Sequence, residues 1–228
     1  MKKKCKVTFW AGVCLLVAFV LWTVLVCFVD VDAIGPEGTS VGFSALNGYV
    51  HGLMGVDFSL YVITDWLGLV PIGVALGFAV LGLVQWIKRK KLFAIDKSIL
   101  LLGVYYVIVI AVYIFFEVEV INHRPVLIDG RLEASYPSSS TMLTVCVMST
   151  AMMQLCDRIK SRIARLCILT PTCAFTAFMI IGRIISGVHW ITDIIAGLLF
   201  GVGIAMIYWS VSHFDNSACK KTKEGRGS

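Results

Sequence analysis

Three short stretches of this chain carry residues able to act on an anionic group. The first to weigh is Gly182-Arg183-Ile184-Ile185-Ser186-Gly187-Val188-His189-Trp190-Ile191-Thr192-Asp193. Gly187 offers a tight break, and His189 and Asp193 stand four residues apart, a spacing that puts both on one face of a helix. A carboxylate there can hold one imidazole nitrogen and leave the other aimed outward, the base-and-orienter geometry of nucleophilic sites. A polar pair inside a helix bundle is the plainer alternative, and Arg183, six residues earlier, favours chemistry. The second stretch is Asn122-His123-Arg124-Pro125. Pro125 stops a helix, and the planar fork of Arg124 can either snorkel as an anchor or grip a phosphate. The third, Tyr136-Pro137-Ser138-Ser139-Ser140-Thr141, reads as a helix start. Its free amides and helix dipole suit an anion, although an N-cap alone also explains it.

These residues need elements to hold them. The chain has 228 residues, of which 58% are apolar and only 15% charged, with a mean hydropathy of +0.88. A soluble domain carries about 25% charge, and disordered chains are poor in apolar residues, so both classes are excluded. Crossing a bilayer takes about 20 mainly apolar residues, and six stretches qualify: Val7–Val29, Trp66–Ile87, Ser98–Phe116, Ser139–Leu155, Ile163–Ile185 and Trp190–Ser212. The expected fold is all-α, a polytopic membrane bundle of six transmembrane helices forming a single domain over 1–228. The connection 30–65 lacks Lys and Arg, and Phe43, Leu46, Val50, Leu53 and Met54 recur in it at helical spacing. That pattern predicts an interfacial helix; His51 falls inside it and receives no role. The eight cysteines form no Cys-x2-Cys pair and read as small apolar packing residues.

Charge sets the orientation. Lys2, Lys3, Lys4 and Lys6 precede the first span. Lys88, Arg89, Lys90, Lys91 and Lys97 lie between the second and third, Arg158, Lys160, Arg162 and Arg165 around the fourth connection, and Lys220, Lys221, Lys223 and Arg226 in the tail. With alternating spans, seventeen of the 20 basic residues share one side. The positive-inside rule makes that side cytoplasmic, with both termini and the tail 216–228 inside. Arg124, Arg131 and Arg183 are the exceptions, facing out. Short basic clusters flanking apolar helices are orientation signals, so the net charge of +6 does not imply a nucleic-acid partner. Ionisable groups at membrane depth are costly and point to function, which returns attention to Arg183, His189 and Asp193.

The stretch around them resembles the last motif of the type 2 phosphatidic acid phosphatase family, Ser-Arg-x5-His-x3-Asp. Arg183, His189 and Asp193 match it, with Gly182 in place of the serine. Arg124 and Pro125 resemble the Arg-Pro of a Lys-x6-Arg-Pro motif, and Pro137 and Ser138 the start of Pro-Ser-Gly-His. The lipid phosphate phosphatases share this motif set with the vanadium haloperoxidases, which are soluble. The resemblance implies His189 as a nucleophile forming a phosphohistidine, and Asp193 as the group that orients it and stabilises its charge. It implies Arg124 and Arg183 as holders of the phosphate oxygens, with donors at Ser138, Ser139 and Ser140. It implies no metal and no other cofactor. The substrate would be a lipid phosphate or polyprenyl diphosphate, met at the outer face of the plasma membrane.

Two departures stand out. The lysine expected before Arg124 is Glu117, and the second-motif histidine, which protonates the leaving group in the family, is Ser140. A serine hydroxyl is no general acid near neutral pH, and general acid catalysis contributes about 10²–10⁴-fold. Three outcomes stay open: a slow enzyme, a substitute acid such as His123, or a leaving group that needs little protonation, as in a diphosphate. The expected function is therefore a metal-independent membrane lipid phosphatase or diphosphatase. The alternative is a catalytically impaired relative that binds lipid phosphates or serves as a structural membrane protein. A transporter would be expected to show paired broken helices in equivalent halves, and none is visible.

Overall fold

Each apolar stretch folds as a helix, the conformation that satisfies its backbone amides and carbonyls within one segment. The computed structural model describes residues 2–224 in backbone and 2–214 in side chain. Its helices are α1 (Lys2–Phe28), α2 (Ser44–Met54), α3 (Phe58–Leu67), α4 (Leu69–Arg89), α5 (Lys97–Val118), α6 (Ser139–Arg158), α7 (Arg162–Ile185) and α8 (Ile191–Glu224). Among the described residues six helical stretches are long and apolar enough to span a membrane: α1, α3 with α4, α5, α6, α7 and α8 as far as Phe214. Of the expected tail, 216–228, the structure gives only the backbone of α8 as far as Glu224; its side chains and residues 225–228 lie outside the described residues.

The second span differs from its expected form. It begins at Phe58 rather than Trp66, and it is two helices meeting at Gly68, whose amide bonds to the carbonyls of Thr64 and Asp65 at 3.1 and 3.0 Å. Asp57 caps α3, its carboxylate accepting the Leu60 amide at 3.0 Å, a common device for satisfying a first-turn donor. The earlier start brings Tyr61, Thr64 and Asp65 into the bundle's end. It also shortens the first connection, in which α2 forms over the apolar-periodic residues. Asp30 receives the Ser44 hydroxyl at 3.0 Å and the Ala45 amide at 2.8 Å. Asn47, fully buried, donates to the Gly42 carbonyl at 2.7 Å and the Thr192 hydroxyl at 3.0 Å. That pins α2 to the start of α8.

The core lies along α8. Helix α1 packs most extensively against it, and α6 fits between α8 and α7. Phe19, Tyr105, Val109, Phe116, Met142, Cys146, Phe200 and Ile204 share one buried cluster. The outward surfaces of α1, α4, α5 and α7 carry exposed Val, Leu, Ile and Phe, as a lipid-facing surface requires. The two basic connections meet at one end of the bundle, where Arg89 lies 3.0 Å and Arg158 4.0 Å from Asp96.

One element had no counterpart in the sequence expectation. Between α5 and α6, residues 122–135 fold back as a hairpin. The Arg124 amide donates to the Glu133 carbonyl at 3.0 Å and the Ser135 amide to the Asn122 carbonyl at 2.9 Å, while Ile128 and Arg131 exchange both backbone bonds. Asp129 and Gly130 form the turn with φ of 49° and 72°. Asp-Gly with both central residues at positive φ is the turn that matches strand twist in a two-residue hairpin.

Candidate active site

The turn between α7 and α8 is built around Gly187. Its φ is +63°, and a Cβ there would fall 1.9 Å from the Gly55 carbonyl oxygen, so only glycine fits. The Ser186 carbonyl accepts the Asp57 amide at 3.1 Å, stitching this turn to α3. Helix α8 starts at Ile191. His189 therefore sits ahead of the helix, not on its face as the four-residue spacing suggested, and Asp193 sits in the first turn. Asp193 Oδ2 accepts the Trp190 amide at 3.1 Å.

His189 Nδ1 and Asp193 Oδ2 are 4.0 Å apart, too far for a hydrogen bond. The Ser135 hydroxyl stands between them. It donates to Asp193 Oδ2 and lies 3.1 Å from His189 Nδ1. The other carboxylate oxygen accepts from Asn122 Nδ2 at 3.2 Å. Both Ser135 and Asn122 come from the ends of the hairpin, and the Trp190 indole N–H ties to it by donating to the His123 carbonyl at 2.8 Å. With the Ser135 proton committed to Asp193, the hydroxyl oxygen accepts from His189, which assigns the ring proton to Nδ1. The unprotonated Nε2 then faces Arg124, whose Nη1 is 3.5 Å away. Burial, followed by the charges of Arg124 and Arg183, pulls the pKa of His189 well below 6.5. The imidazole is neutral at neutral pH, as a nitrogen nucleophile requires.

The two arginines come from opposite parts of the chain and share one aromatic ring. The Arg183 and Arg124 guanidinium carbons lie 5.2 and 5.7 Å from the centre of Tyr61. Arg183 is 1% exposed. Its Nη2 donates to Asp65 Oδ1 at 3.0 Å, while Nε and Nη1 have no partner. Arg124 Nε lies 3.0 Å from Glu133 Oε2, close enough for charge attraction but off the N–H direction, so it makes no hydrogen bond. Buried donors left unmade are expensive. They suit a ligand with several anionic oxygens, which a planar guanidinium holds in pairs. Gly182, where the family pattern has serine, lets α3 approach: a Cβ there would come within 2.7 Å of the Thr64 methyl.

The serine-rich turn behaves differently from its expected part. The Ser138 amide donates to the Asp193 carbonyl at 3.0 Å and its hydroxyl to Thr141 Oγ1 at 3.1 Å. Both groups are engaged inside the protein, so Ser138 joins α6 to α8 instead of offering open donors. Ser139 lines a small cavity with Ser135, Tyr113 and Glu117, and Ser140 is half-buried in the first turn of α6. His123 is half-buried, and its carbonyl, through Trp190, is what ties it to the site. His51 does lie close by: its ring is 5.4 Å from that of Trp190, and it lines a cavity with Asn47, Gly187 and His189. Burial lowers its pKa. Among the described residues no group of three His, Cys, Asp or Glu side chains is arranged to hold a metal.

Sequence reasoning named Arg124, Arg183, His189 and Asp193, and the structure brings all four together. It missed Ser135, Tyr61 and Asp65, and gave Asn122 no part. Ser135 is 58 positions from Asp193, and Asp65 is 118 from Arg183, so no local spacing announces either pairing. The Asp129-Gly130 turn was the available signal, because a hairpin there folds the segment holding Ser135 back along the segment holding Asn122, although the register shifts by two residues between Ile128–Arg131 and His123–Ala134.

Residues 116–217 match the family model of the PAP2 superfamily. The matched segment runs from the end of α5 into α8 and contains the hairpin, the start of α6 and the Gly187 turn. A solved structure, that of the first transmembrane PAP2 type phosphatidylglycerolphosphate phosphatase from Bacillus subtilis, aligns with a TM-score of 0.49 and 19% identity, over 90% of this chain and 96% of that one. No curated protein matches the chain.

Proposed function

We propose that this membrane protein, whose residues 116–217 match the family model of the PAP2 superfamily, is a metal-independent lipid phosphatase that works through a phosphohistidine at His189. One observation carries the reading: a neutral imidazole turns its unprotonated nitrogen toward Arg124, which shares the Tyr61 ring with Arg183, a buried arginine with two unpartnered donors.

Phosphoryl transfer asks mainly for positioning and charge neutralisation. Arg124 and Arg183 hold the phosphate oxygens between themselves and His189. The Nε2 lone pair attacks phosphorus, the bridging P–O bond breaks, and its electron pair leaves on the lipid-side oxygen. The dephosphorylated lipid is thus released first. Water then attacks the phosphohistidine, the P–N bond breaks, its pair returns to Nε2, and inorganic phosphate leaves with one of the water's protons while the other passes to solvent. The lipid-side oxygen of a monoester leaves as an alkoxide that must gain a proton, and Ser140 cannot supply it. A diphosphate leaves as a phosphate that needs none, so the preferred substrate is a lipid diphosphate of the polyprenyl type. The site lies at the bundle end opposite Arg89, Asp96 and Arg158. With those basic connections inside, the reaction faces the outer leaflet.

The test is phosphate release in detergent from a short-chain lipid diphosphate and the matching monophosphate, with chelator present, by the wild type and His189→Ala. The expected result is chelator-insensitive turnover, faster for the diphosphate and abolished by the substitution. Turnover unchanged in His189→Ala would end the reading. Equal or better use of the monophosphate would remove the diphosphate preference. Binding of lipid phosphate without release would make the chain a non-catalytic lipid-phosphate binder.

A further inference from the structure

We infer that Ser135 is the positioning residue through which Asp193 holds His189, a hydroxyl inserted where a direct carboxylate–imidazole bond was expected. The inference rests on the reading of His189 as nucleophile.

Asp193 is saturated without touching the imidazole. Oδ2 takes the Ser135 hydroxyl and the Trp190 amide, and Oδ1 takes Asn122 Nδ2. Closing the 4.0 Å gap to His189 Nδ1 would mean giving up bonds from a fully buried carboxylate. Ser135 is itself 2% exposed and Asp193 0%, so bulk water does not reach the junction. The hydroxyl can serve both neighbours only one way round, donating to the carboxylate and accepting from Nδ1–H, because a carboxylate has no proton to give. The chain Asp193–Ser135–His189 therefore fixes the Nδ1–H tautomer and leaves Nε2 as the free lone pair. No proton moves along it. When Nε2 bonds to phosphorus the ring gains positive charge, and the polarised Ser135 oxygen, backed by Asp193, stabilises it.

Ser135 is not an alternative nucleophile. Its oxygen lies against Nδ1, whereas Arg124 faces Nε2 on the far edge of the ring. Its hydrogen is held by Asp193, so His189 cannot remove it. The backbone also couples the relay to phosphate binding. The hairpin that sets the Ser135 amide on the Asn122 carbonyl sets the Arg124 amide on the Glu133 carbonyl, so one element fixes the ring's tautomer on one edge and the phosphate-holding arginine on the other.

The test uses the full chain in detergent with Ser135→Ala, Ser135→Thr and Ser135→Gly. Ser135→Ala removes the hydroxyl with little loss of volume. It should lower kcat about 10²–10³-fold, less than the roughly 10⁴-fold lost when a triad carboxylate that fixes the tautomer is replaced, because Asp193 stays in place, while KM for a short-chain lipid diphosphate stays within about threefold. Ser135→Thr keeps the hydroxyl and should recover most of that loss. Ser135→Gly, which leaves room for a water, should recover part of it even if the threonine methyl does not fit. A second readout is independent of turnover: ¹⁵N NMR of histidine-labelled protein should show His189, identified by its absence in His189→Ala, as the Nδ1–H tautomer, and a mixture of tautomers in Ser135→Ala. Wild-type kcat in Ser135→Ala beside an inert His189→Ala would overturn the relay and leave the phosphatase reading standing, as would equal impairment of all three variants. An Nε2–H tautomer in the wild type would overturn it whether or not a substrate has been found. Activity retained in His189→Ala would instead remove the reading on which the relay rests.

Discussion

The two ends of the helix bundle both gather arginines around carboxylates and treat them in opposite ways. At the basic end, Asp96 accepts from Gln85 at 2.8 Å and from Arg89 at 3.0 Å. Gln154 receives Arg158 and donates to the Tyr208 hydroxyl, which closes onto the Ser98 carbonyl at 3.1 Å. The Arg89 and Asp96 side chains are 45% and 41% exposed. At the other end, Arg183 is almost fully buried, with one exposed carboxylate and two donors unmade. Of the five buried side-chain atoms without a partner among the described residues, four belong to His51, Arg124 and Arg183 at this end, and the basic end has none. The basic cluster closes its own hydrogen bonds within the protein, whereas this one keeps donors open, as an anion-binding site would.

The sharpest way to break that contrast is to remove Arg183. Arg183→Ala deletes the two unpartnered donors that the proposed mechanism sets on the phosphate, and activity on a lipid phosphate should fall about 10²–10³-fold. Stability should move the other way. Taking out a buried cation whose donors are unsatisfied should leave the thermal midpoint in detergent unchanged or higher. A variant that loses its midpoint and keeps its activity would make Arg183 a structural pair with Asp65 and erase the difference between the ends.

A smaller effect should appear in the pH profile. Burial first, then Arg124 and Arg183, keep His189 well below 6.5. On the proposed mechanism His189 therefore stays neutral, and the protein active, as pH falls through 6.5. A phosphomonoester itself titrates near pH 6, so the informative quantity is the displacement between two proteins on one substrate. Arg183→Gln removes a charge that disfavours the imidazolium, so the His189 pKa rises toward 6.5 and the acid limb of kcat/KM moves upward. A limb that stays in place would mean that Arg183 exerts no field at the imidazole.

Legibility in the sequence follows the same division between the regular and the particular. The six spans could be read because a bilayer imposes a length and a composition on every helix that crosses it. Their grouping by charge could be read because the basic clusters lie next to those spans. The motif around His189 survived as a spacing because Gly187 and the start of α8 lock it locally. Other features stayed hidden because they depend on contacts between distant segments. Nothing in the composition around Ser135 distinguishes it from its neighbours Ser138, Ser139 and Ser140, yet it reaches Asp193, while Ser138 spends its donors inside the fold. Asp65 looked like the edge of a loop until α3 was seen to begin at Phe58.

The mildest test concerns the basic end. Burial tends to raise the pKa of Asp96, but the hydrogen bonds from Gln85 and Arg89 outweigh it and hold the carboxylate below its ordinary value. A depressed carboxylate stabilises the fold above its unfolded pKa of about 3.9 and loses that contribution as pH falls through the folded value. Asp96→Asn keeps the size and one acceptor, and the ion pairs it breaks are partly exposed and screened by water. The expected loss is below about 1 kcal/mol at neutral pH, shrinking toward zero in acid, with activity within about twofold of the wild type. Thermal midpoints of the two proteins across pH, set beside phosphate release, check both halves of that statement. A large fall in activity with the fold intact would mean that the two ends are coupled through α8, and that the closed cluster also bears on the chemistry.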